Sequence, residues 1–284
     1  MQASVSITGI LGKNVKQSLL FNIYNQIFNE LDLPCQYIPF EVMPNHLEEA
    51  VIGIRQMKMM GVNVTYPYNE KITEYIDEIT EDSKIIGNIN TIKNYNDILI
   101  GYNTYGKSVV EALEKKCKIY PDSKSLLILG AGCTAKSIAV TFAKAGAKQI
   151  FIANRTMLHS EEIKNVINSN IPECNVNIFT LNAPKIKEII KDVDIIINTT
   201  PLGMKKNDPS LLNAELISKN KVILDTVCNP LKTLLIREAC IKGCLNVEGI
   251  NIFAMQCAID LEIWTDKIYP IDIIEKTIMK QLRG

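Results

Sequence analysis

Short runs of consecutive hydrophobic residues alternate with amphipathic stretches along the whole chain. Residues 125–130, with the sequence SLLILG, are typical of a buried strand, whereas residues 19–32 carry apolar side chains at helical spacing. Further strands are predicted at residues 5–10, 35–40, 62–65, 98–100, 149–154, 175–180, 193–200 and 221–227, and further helices at residues 46–60, 252–267 and 271–282. Because helices separate these apolar strands, we predict parallel sheets covered on both faces.

The alternation is long enough for two α/β domains. The first is predicted to end at about residue 103, and the second to cover residues 105–249. The stretch GYNTYGKS between them leads from an apolar strand into a new helix. The hydrophobic pattern alone assigns the last two helices to neither domain.

Composition narrows the classes of function. The chain has 284 residues, of which 47% are hydrophobic, and 31 basic residues balance 31 acidic ones. This balance gives no reason to expect nucleic acid or an anionic membrane as a partner. No apolar run approaches the roughly 20 residues that cross a bilayer, and the N-terminal sequence does not resemble a secretion signal. We expect a cytoplasmic monomer or homodimer.

The cysteines and histidines argue against disulfide and metal chemistry. The 8 cysteines are scattered and form no C-x-x-C pair, which is typical of reduced thiols in a cytosol. The 2 histidines, His46 and His159, are far apart in the sequence. We therefore predict no metal site and no Ser-His-Asp triad.

The most informative stretch follows the strand at residues 126–129. It contains, in order, Gly130, Ala131, Gly132, Cys133, Thr134 and Ala135. This is the pattern G-x-G-x-x-A between a strand and a helix, which predicts a dinucleotide-binding loop. Gly130 permits the tight turn, Gly132 lets a pyrophosphate approach the helix N-terminus, and Ala135 allows close packing of the helix on the strand.

The end of the next strand indicates which dinucleotide binds. An NAD site usually has an acidic residue there for the ribose hydroxyls. This chain has Asn154, Arg155 and Thr156 instead. A carboxylate would repel a 2′-phosphate, whereas Arg155 would pair with it, so we predict NADP rather than NAD.

Several further motifs converge on one family. They are ITGILGKNVKQSLL, GVNVTYPYNE, GNINTI, GYNTYG, GAGCTA, NRT, NTTPLGM, DTVCNPLKTLLIREACIKG and EGINIFAMQCAIDLEIWT. Together they cover essentially the whole chain, and with these motifs the sequence resembles the shikimate/quinate dehydrogenase family.

The resemblance implies a two-domain oxidoreductase. It implies an N-terminal α/β substrate domain, a Rossmann-like NADP-binding domain and an interdomain cleft. The C-terminal helices would return to the substrate domain. That domain would then comprise residues 1–104 and 250–284, and the NADP-binding domain would comprise residues 105–249. Members of the family interconvert a 3-dehydro acid and its hydroxy form, so a cyclic hydroxy acid is the implied class of substrate.

The resemblance also implies which positions carry catalysis. A family lysine and a family aspartate act together at the reacting hydroxyl, and their positions here are Asn69 and Tyr105. Of two serines that hold the substrate carboxylate, Ser18 remains and the second is Leu20. Cys228 stands in place of a family tyrosine.

Other positions keep the family pattern. The implied substrate-binding residues are Ser18, Thr65, Asn90, Thr104 and Gln256, and Asn63 is also retained. The implied cofactor-binding residues are Gly130, Ala131, Gly132, Cys133, Thr134, Ala135, Asn154, Arg155, Thr156, Thr199, Thr200, Pro201, Val227 and Gly249. The cofactor positions are thus intact, whereas both acid/base positions are changed.

Three interpretations follow from this asymmetry. The first is an NADP-dependent oxidoreductase with an altered substrate, little shikimate dehydrogenase activity, and Tyr105 in the acid/base position. The second is a non-catalytic NADP-binding sensor or regulatory protein, because Asn69 cannot titrate. The third is a shikimate dehydrogenase with a relocated lysine. Lys71 or Lys107 could lower the pKa of Tyr105 if either faced inward; otherwise Tyr105 fills space and both lysines are solvated.

Overall fold

The fold is α/β, with two six-stranded sheets in two compact units. The computed structural model describes residues 5–181, 183–205 and 207–283. The first unit comprises Met1–Thr104 and Gln256–Gly284, and the second comprises Tyr105–Met255. The division thus falls at residues 255 and 256, whereas the sequence predicted it at residues 249 and 250.

The first unit contains a mixed sheet. Its strands are β1 (Ser6–Gly12), β2 (Cys35–Glu41), β3 (Gly61–Val64), β4 (Glu78–Ile79), β5 (Thr91–Tyr95) and β6 (Ile98–Tyr102), in the order β2-β1-β3-β5-β6-β4. Its N-terminal helices are α1 (Leu20–Glu30), α2 (Leu47–Gln56) and α3 (Glu81–Ile86), and a 3₁₀ turn covers Lys71–Glu74.

The sheet of this unit is parallel in part, as predicted, but it also contains antiparallel pairs. Strand β5 pairs antiparallel with both β3 and β6. Asn96 and Asp97 connect β5 to β6 with φ angles of 51° and 69°. Two consecutive positive φ angles in a two-residue loop are the geometry of a type I′ hairpin, which Asn and Asp tolerate. The local turn thereby reverses the chain.

The second unit contains a parallel sheet. Its strands are β7 (Ser125–Leu129), β8 (Gln149–Asn154), β9 (Asn175–Thr180), β10 (Ile195–Asn198), β11 (Val222–Asp225) and β12 (Leu245–Val247). Its helices are α4 (Tyr105–Cys117), α5 (Cys133–Lys144), α6 (Met157–Asn170), α7 (Ala183–Ile189) and α8 (Leu234–Ile241). The order β12-β11-β10-β7-β8-β9 is that of a doubly wound dinucleotide-binding sheet, whose switch point lies between β7 and β10.

The last two helices follow the second sheet in sequence. Helix α9 covers Gly249–Thr265, and α10 covers Ile271–Arg283 and packs against α1. Trp264 on α9 donates its indole N–H to the carbonyl of Ile92 at 3.1 Å, and Lys93 pairs with Asp266 at 2.6 Å. These contacts tie the end of α9 to β5 within the first unit.

Candidate functional site

The glycine loop of the second unit leaves open space at the N-terminus of α5. Gly130 has a φ of +111°, a conformation that residues with a Cβ rarely adopt, and a Cβ there would lie 2.6 Å from Thr199 Oγ1. A Cβ on Gly132 would meet nothing within 4 Å, and Gly132 is the N-cap of α5. The loop can therefore receive an anionic group on the backbone N–H groups of the helix.

The other loop residues divide between the surface and the core. Cys133 is exposed, Ala131 and Thr134 are partly buried, and Ala135 is fully buried under the helix. The small side chain of Ala135 agrees with close packing of α5 on the sheet. Of the six loop residues predicted from the sequence, the first three form the turn between β7 and α5, and the last three form the start of α5.

The carboxyl end of β8 lies next to this loop. β8 pairs in parallel with β7, and the Gly130 N–H donates to the carbonyl of Ala153 at 2.8 Å. Asn154 donates its amide to the carbonyl of Thr156 at 2.9 Å, which bends the chain after the strand. Arg155 and Thr156 are exposed, and no carboxylate occurs between Gln149 and Thr156. This combination fits a 2′-phosphate rather than a bare ribose.

The carboxyl end of β10 borders the loop on the other side. The Thr199 hydroxyl donates to the carbonyl of Leu129 at 2.8 Å, beside Gly130. The Thr200 N–H and hydroxyl both donate to Asn198 Oδ1, at 2.9 and 2.8 Å. Pro201 follows at the surface. The predicted residues of this segment therefore stand at the switch point of the sheet.

Val227 and Gly249 meet at the end of β11. The Val227 N–H donates to Asp225 Oδ1 at 3.1 Å, and a Cβ on Gly249 would lie 2.2 Å from the Val227 carbonyl oxygen. The Cys228 thiol contacts the Gly249 carbonyl at 3.2 Å, and burial raises the pKa of this thiol to about 12. Cys228 is a packing thiol, because a nucleophilic cysteine needs a lowered pKa.

Tyr105 begins α4 and interacts with the cofactor loop. Burial, and then the neighbouring Cys228, raise the pKa of its phenol, while hydrogen bonds with Thr226 and Thr134 oppose that rise. A raised pKa argues against Tyr105 as an acid/base poised near neutral pH. Lys107 does not supply the missing charge to it, because its ammonium is exposed and lies 3.6 Å from Glu111.

Asn69, for which the resemblance implies a lysine position, holds backbone segments of the first unit together. Its amide donates to the carbonyls of Val64 at 2.8 Å and Ile89 at 3.0 Å. It therefore links the end of β3 to the start of β5. An amide used in this way neither takes up nor releases a proton. Lys71, two residues later, is exposed at the start of the 3₁₀ turn.

Two predicted substrate residues, Ser18 and Thr65, follow the carboxyl ends of the paired strands β1 and β3. Leu11 and Val64 are register partners, and the Thr65 N–H donates to the Leu11 carbonyl at 3.0 Å. Ser18 lies in the connection between β1 and α1, where its hydroxyl accepts the Leu20 N–H at 3.3 Å. Leu20 supplies no hydroxyl of its own.

Asn90 and Thr104 form a hydrogen-bonded pair. The Thr104 N–H donates to Asn90 Oδ1 at 2.8 Å, and Asn90 Nδ2 donates to Thr104 Oγ1 at 3.0 Å. Thr104 is buried, whereas Asn90 is partly exposed. Gln256, also partly exposed, lies on α9 one turn before Asp260.

The sequence analysis missed Asp260. This residue is fully buried, and its carboxylate accepts hydrogen bonds from Tyr24 at 2.9 Å, Asn63 at 2.8 Å and Thr104 at 2.9 Å. Burial raises its pKa to about 6, although the three hydrogen bonds lower it. The available signal was an acidic residue, in CAIDL, flanked by apolar residues on both sides.

Each unit therefore brings together one set of predicted residues. The second unit gathers the cofactor set around β7, and the first gathers Thr65, Asn69, Asn90 and Thr104 beside the edge of β3. Within residues 5–181, 183–205 and 207–283, no group of three or more His, Cys, Asp or Glu is arranged to hold a metal ion. No helix in those ranges has the length and apolarity to cross a membrane.

Two family models match the chain. Residues 10–92 match the shikimate dehydrogenase substrate binding domain. Residues 111–207 match the model described as shikimate/quinate 5-dehydrogenase. The two matches fall in the first and second units, respectively.

Known proteins resemble the chain over nearly its full length. A protein of Alkaliphilus oremlandii, named shikimate dehydrogenase (NADP(+)), is 39% identical over 96% of both chains. The crystal structure of shikimate 5-dehydrogenase from Listeria monocytogenes, in complex with shikimate and NAD, has a TM-score of 0.91 and 29% identity over 98% of both chains. A 5-ketofructose reductase of a Gluconobacter species has a TM-score of 0.88 and 27% identity, covering 98% of this chain and 99% of that one.

Proposed function

Because the chain belongs to the shikimate/quinate dehydrogenase family of oxidoreductases, we propose that it interconverts shikimate and 3-dehydroshikimate with NADP(H). The observation that carries this proposal is the relative named shikimate dehydrogenase (NADP(+)), which is 39% identical over 96% of both chains. The intact cofactor edge of the second unit supports it.

The cofactor is NADP(H). Its pyrophosphate would lie on the open backbone at Gly132, and Arg155 would pair with its 2′-phosphate. When bound, its nicotinamide supplies or accepts the hydride. Thr199 and Thr200 at the end of β10, with Val227 and Gly249 nearby in this unit, would border the nicotinamide end.

The substrate is a small cyclic hydroxy acid. Thr65, Asn90 and Thr104 offer neutral hydrogen-bonding groups for its hydroxyls, and Gln256 and Ser18 would complete the set. Leu20 provides no hydroxyl for the carboxylate, and loss of one hydrogen bond to a charged group costs about 1.5–3 kcal/mol. We therefore expect a KM for shikimate at least tenfold above that of a relative with both serines.

The proton of the reacting hydroxyl needs an acceptor other than Asn69. The raised pKa of the Tyr105 phenol argues against that residue, and Lys107 pairs with Glu111. Lys71 is an exposed lysine two residues after Asn69, and we assign it the role of the relocated lysine.

Turnover assays test this assignment. We expect the wild-type protein to reduce NADP with shikimate, and Lys71→Met to lower kcat by roughly 10²–10⁴-fold, which is the usual contribution of a positioned acid/base. Lys84→Met, at an exposed lysine on α3, should leave kcat unchanged. Tight NADP binding by the wild type without shikimate turnover would overturn the proposed function.

The local contacts of Asn69 and Tyr105 favour a second candidate. An amide bonded to two backbone carbonyls and a neutral phenol leave both family acid/base positions without a proton acceptor. The chain would then act on another small polar carbonyl compound, or bind NADP without catalysis. The likeness to a 5-ketofructose reductase supports the first of these options.

A substrate panel and one double variant distinguish the candidates. Turnover of a sugar ketone or another cyclic alcohol, without turnover of shikimate, would favour an altered substrate. Absence of any turnover, with Asn69→Lys/Tyr105→Asp gaining shikimate oxidation, would favour the non-catalytic NADP-binding protein. Wild-type shikimate turnover at an ordinary rate would exclude both.

A further inference from the structure

Asp260 is an ionisable group buried among the predicted substrate residues of the first unit. Its exposed fraction is 0%, and its Oδ2 accepts the Tyr24 hydroxyl and the Asn63 amide. Its Oδ1 accepts the Thr104 hydroxyl at 2.9 Å. A carboxylate in such a position orders its donors, because each of them must point a hydrogen at it.

The ionised carboxylate fixes the hydrogen bonds of Asn90 through Thr104. Thr104 has one hydroxyl hydrogen, and when that hydrogen points at Asp260 the Thr104 oxygen is free to accept Asn90 Nδ2 at 3.0 Å. Asn90 Oδ1 then accepts the Thr104 N–H at 2.8 Å. One lone pair of Oδ1 remains for a ligand on the exposed side of Asn90.

A second position exists for the same hydrogen. Thr104 Oγ1 also lies 3.3 Å from Asn90 Oδ1, so its hydroxyl can point there instead. Protonation of Asp260 would drive this change, because the carboxylic acid then donates to Thr104 and displaces the hydroxyl hydrogen. Asn90 Oδ1 would lose the lone pair that a substrate hydroxyl uses.

We propose that Asp260 is a positioning residue of the substrate site, whose carboxylate sets the direction of the Thr104 hydroxyl and thereby the hydrogen-bonding groups that Asn90 presents to a ligand. This role of Asp260 extends the proposed function, and the identity of the ligand rests on that function.

The surroundings of Asp260 allow both protonation states near neutral pH. The titratable groups that interact with it are Tyr24 from α1 and Tyr37 from β2, and burial raises the pKa of both phenols, so both are neutral at that pH. Cys257 of its own helix acts on the same two phenols. Strand β3 and the end of β6 contribute only the neutral Asn63 and Thr104. With burial opposing these hydrogen bonds, the pKa of Asp260 is about 6.

An NMR titration of the full chain without ligand tests the coupling directly. The Asn90 side-chain amide, assigned by its loss in Asn90→Ala, should shift with an inflection near pH 6 in the wild type. The inflection should disappear in Asp260→Asn. Tyr24→Phe keeps the ring and removes one donor to the carboxylate, so the inflection should rise by about one pH unit.

Glu262→Gln is the matched control, because Glu262 is an exposed carboxylate on the same helix. Its titration should equal that of the wild type. An Asn90 signal that does not titrate, or the same inflection in Tyr24→Phe as in the wild type, would overturn the proposal. The Tyr24→Phe variant tests whether Asp260 causes the titration of the Asn90 amide even if Asp260→Asn fails to fold.

Calorimetry with shikimate tests the consequence for binding. Affinity should fall by about fivefold as the pH drops through 6 in the wild type and Glu262→Gln, which corresponds to one neutral hydrogen bond. It should not change with pH in Asp260→Asn. Shikimate affinity that is independent of pH in the wild type would overturn the positioning role. If shikimate binds at no pH, the proposed function fails, and the amide titration alone decides the role of Asp260.

Discussion

Asn69 donates both hydrogens of its amide to backbone carbonyls, of Val64 and Ile89. This explains why an amide is suited to a position where the family resemblance implies a lysine. Tyr105 hydrogen-bonds with Thr134 on the glycine loop. At the scale of single residues, both replacements stabilise local structure, and Asp260 is a fully buried carboxylate of the first unit.

Replacing Asn69 should reveal its structural role. Asn69→Ala leaves two carbonyls without their donor and should lower the free energy of unfolding by about 2 kcal/mol. Asn170→Ala is the control, because its amide bonds to Val166 at an exposed helix end and should cost less than about 0.5 kcal/mol. Urea denaturation measures both, and equal stability of the two variants would contradict the role given to Asn69.

Asp260 should make the free energy of unfolding fall as the pH rises, which is the opposite of the usual effect of a carboxylate. Its native pKa of about 6 lies above its ordinary value of 3.8, so the native state retains the proton over a range in which the unfolded state has lost it. The stability it contributes is present below about pH 4 and is lost as the pH rises to 6.

This effect is measured as the difference in the free energy of unfolding between the wild type and a variant. Between pH 4 and 7, the free energy of unfolding of the wild type should fall by about 2 kcal/mol relative to Asp260→Asn. The difference between the wild type and Glu262→Gln should stay constant. A constant difference for Asp260→Asn as well would show that the carboxylate has its ordinary pKa.

At the scale of elements, close approach of two helices explains Gly106 in the second unit. The Gly106 N–H donates to Ser137 Oγ at 3.0 Å, and a Cβ on Gly106 would lie 2.6 Å from the Ser137 carbonyl oxygen, so α4 and α5 pack with their backbones near each other. Gly132 differs from Gly106, because a Cβ there would meet nothing within 4 Å. The space beside Gly132 is therefore available to a ligand.

This difference predicts separable effects of two substitutions. Gly132→Ala should weaken NADP binding by roughly tenfold or more, because the methyl group occupies the approach of the pyrophosphate, and should leave the melting temperature nearly unchanged. Gly106→Ala should instead destabilise the fold by about 1–3 kcal/mol through overpacking. Fluorescence titration with NADPH and thermal denaturation measure the two effects. Unchanged NADPH affinity in Gly132→Ala would count against the pyrophosphate position.

The sequence predicts a structural feature well when the residues that determine it lie close together in the chain. The β7–α5 turn was predictable, because its glycines and the flanking periodicity lie within one short stretch. The β5–β6 hairpin was missed although Asn96 and Asp97 marked it, since apolar runs alone do not distinguish parallel from antiparallel pairing. Asp260 was missed because its partner Asn63 is 197 positions away, and no local pattern links them.

At the scale of the whole molecule, the two units differ in chain continuity. The second unit is one segment, Tyr105–Met255, whereas the first joins Met1–Thr104 to Gln256–Gly284. The partners described for Tyr105 and the glycine loop all lie within the second unit. The contacts of α9 and α10 with α1 and β5 lie within the first.

A protein cut down to residues 105–255 should therefore fold and bind NADP by itself. We expect cooperative unfolding and an NADPH affinity within about tenfold of that of the full chain, because every residue assigned to the cofactor is included. Residues 1–104 alone should not unfold cooperatively, because they lack Trp264 and Asp260 in their core. Circular dichroism and fluorescence titration measure these outcomes, and a disordered 105–255 fragment would contradict the expectation.

The contacts between α9 and β5 also affect the order in which the two units can fold during translation. The strands of the first unit emerge early, but Trp264 and Asp260 reach them only after the entire second unit has been translated. During that interval Asn63 and Tyr24 lack their hydrogen bonds to Asp260, and the Ile92 carbonyl lacks its hydrogen bond from Trp264. Of the two units, the first thus begins to be synthesised earlier but completes its core later. Chaperones would therefore act longest on its N-terminal segment.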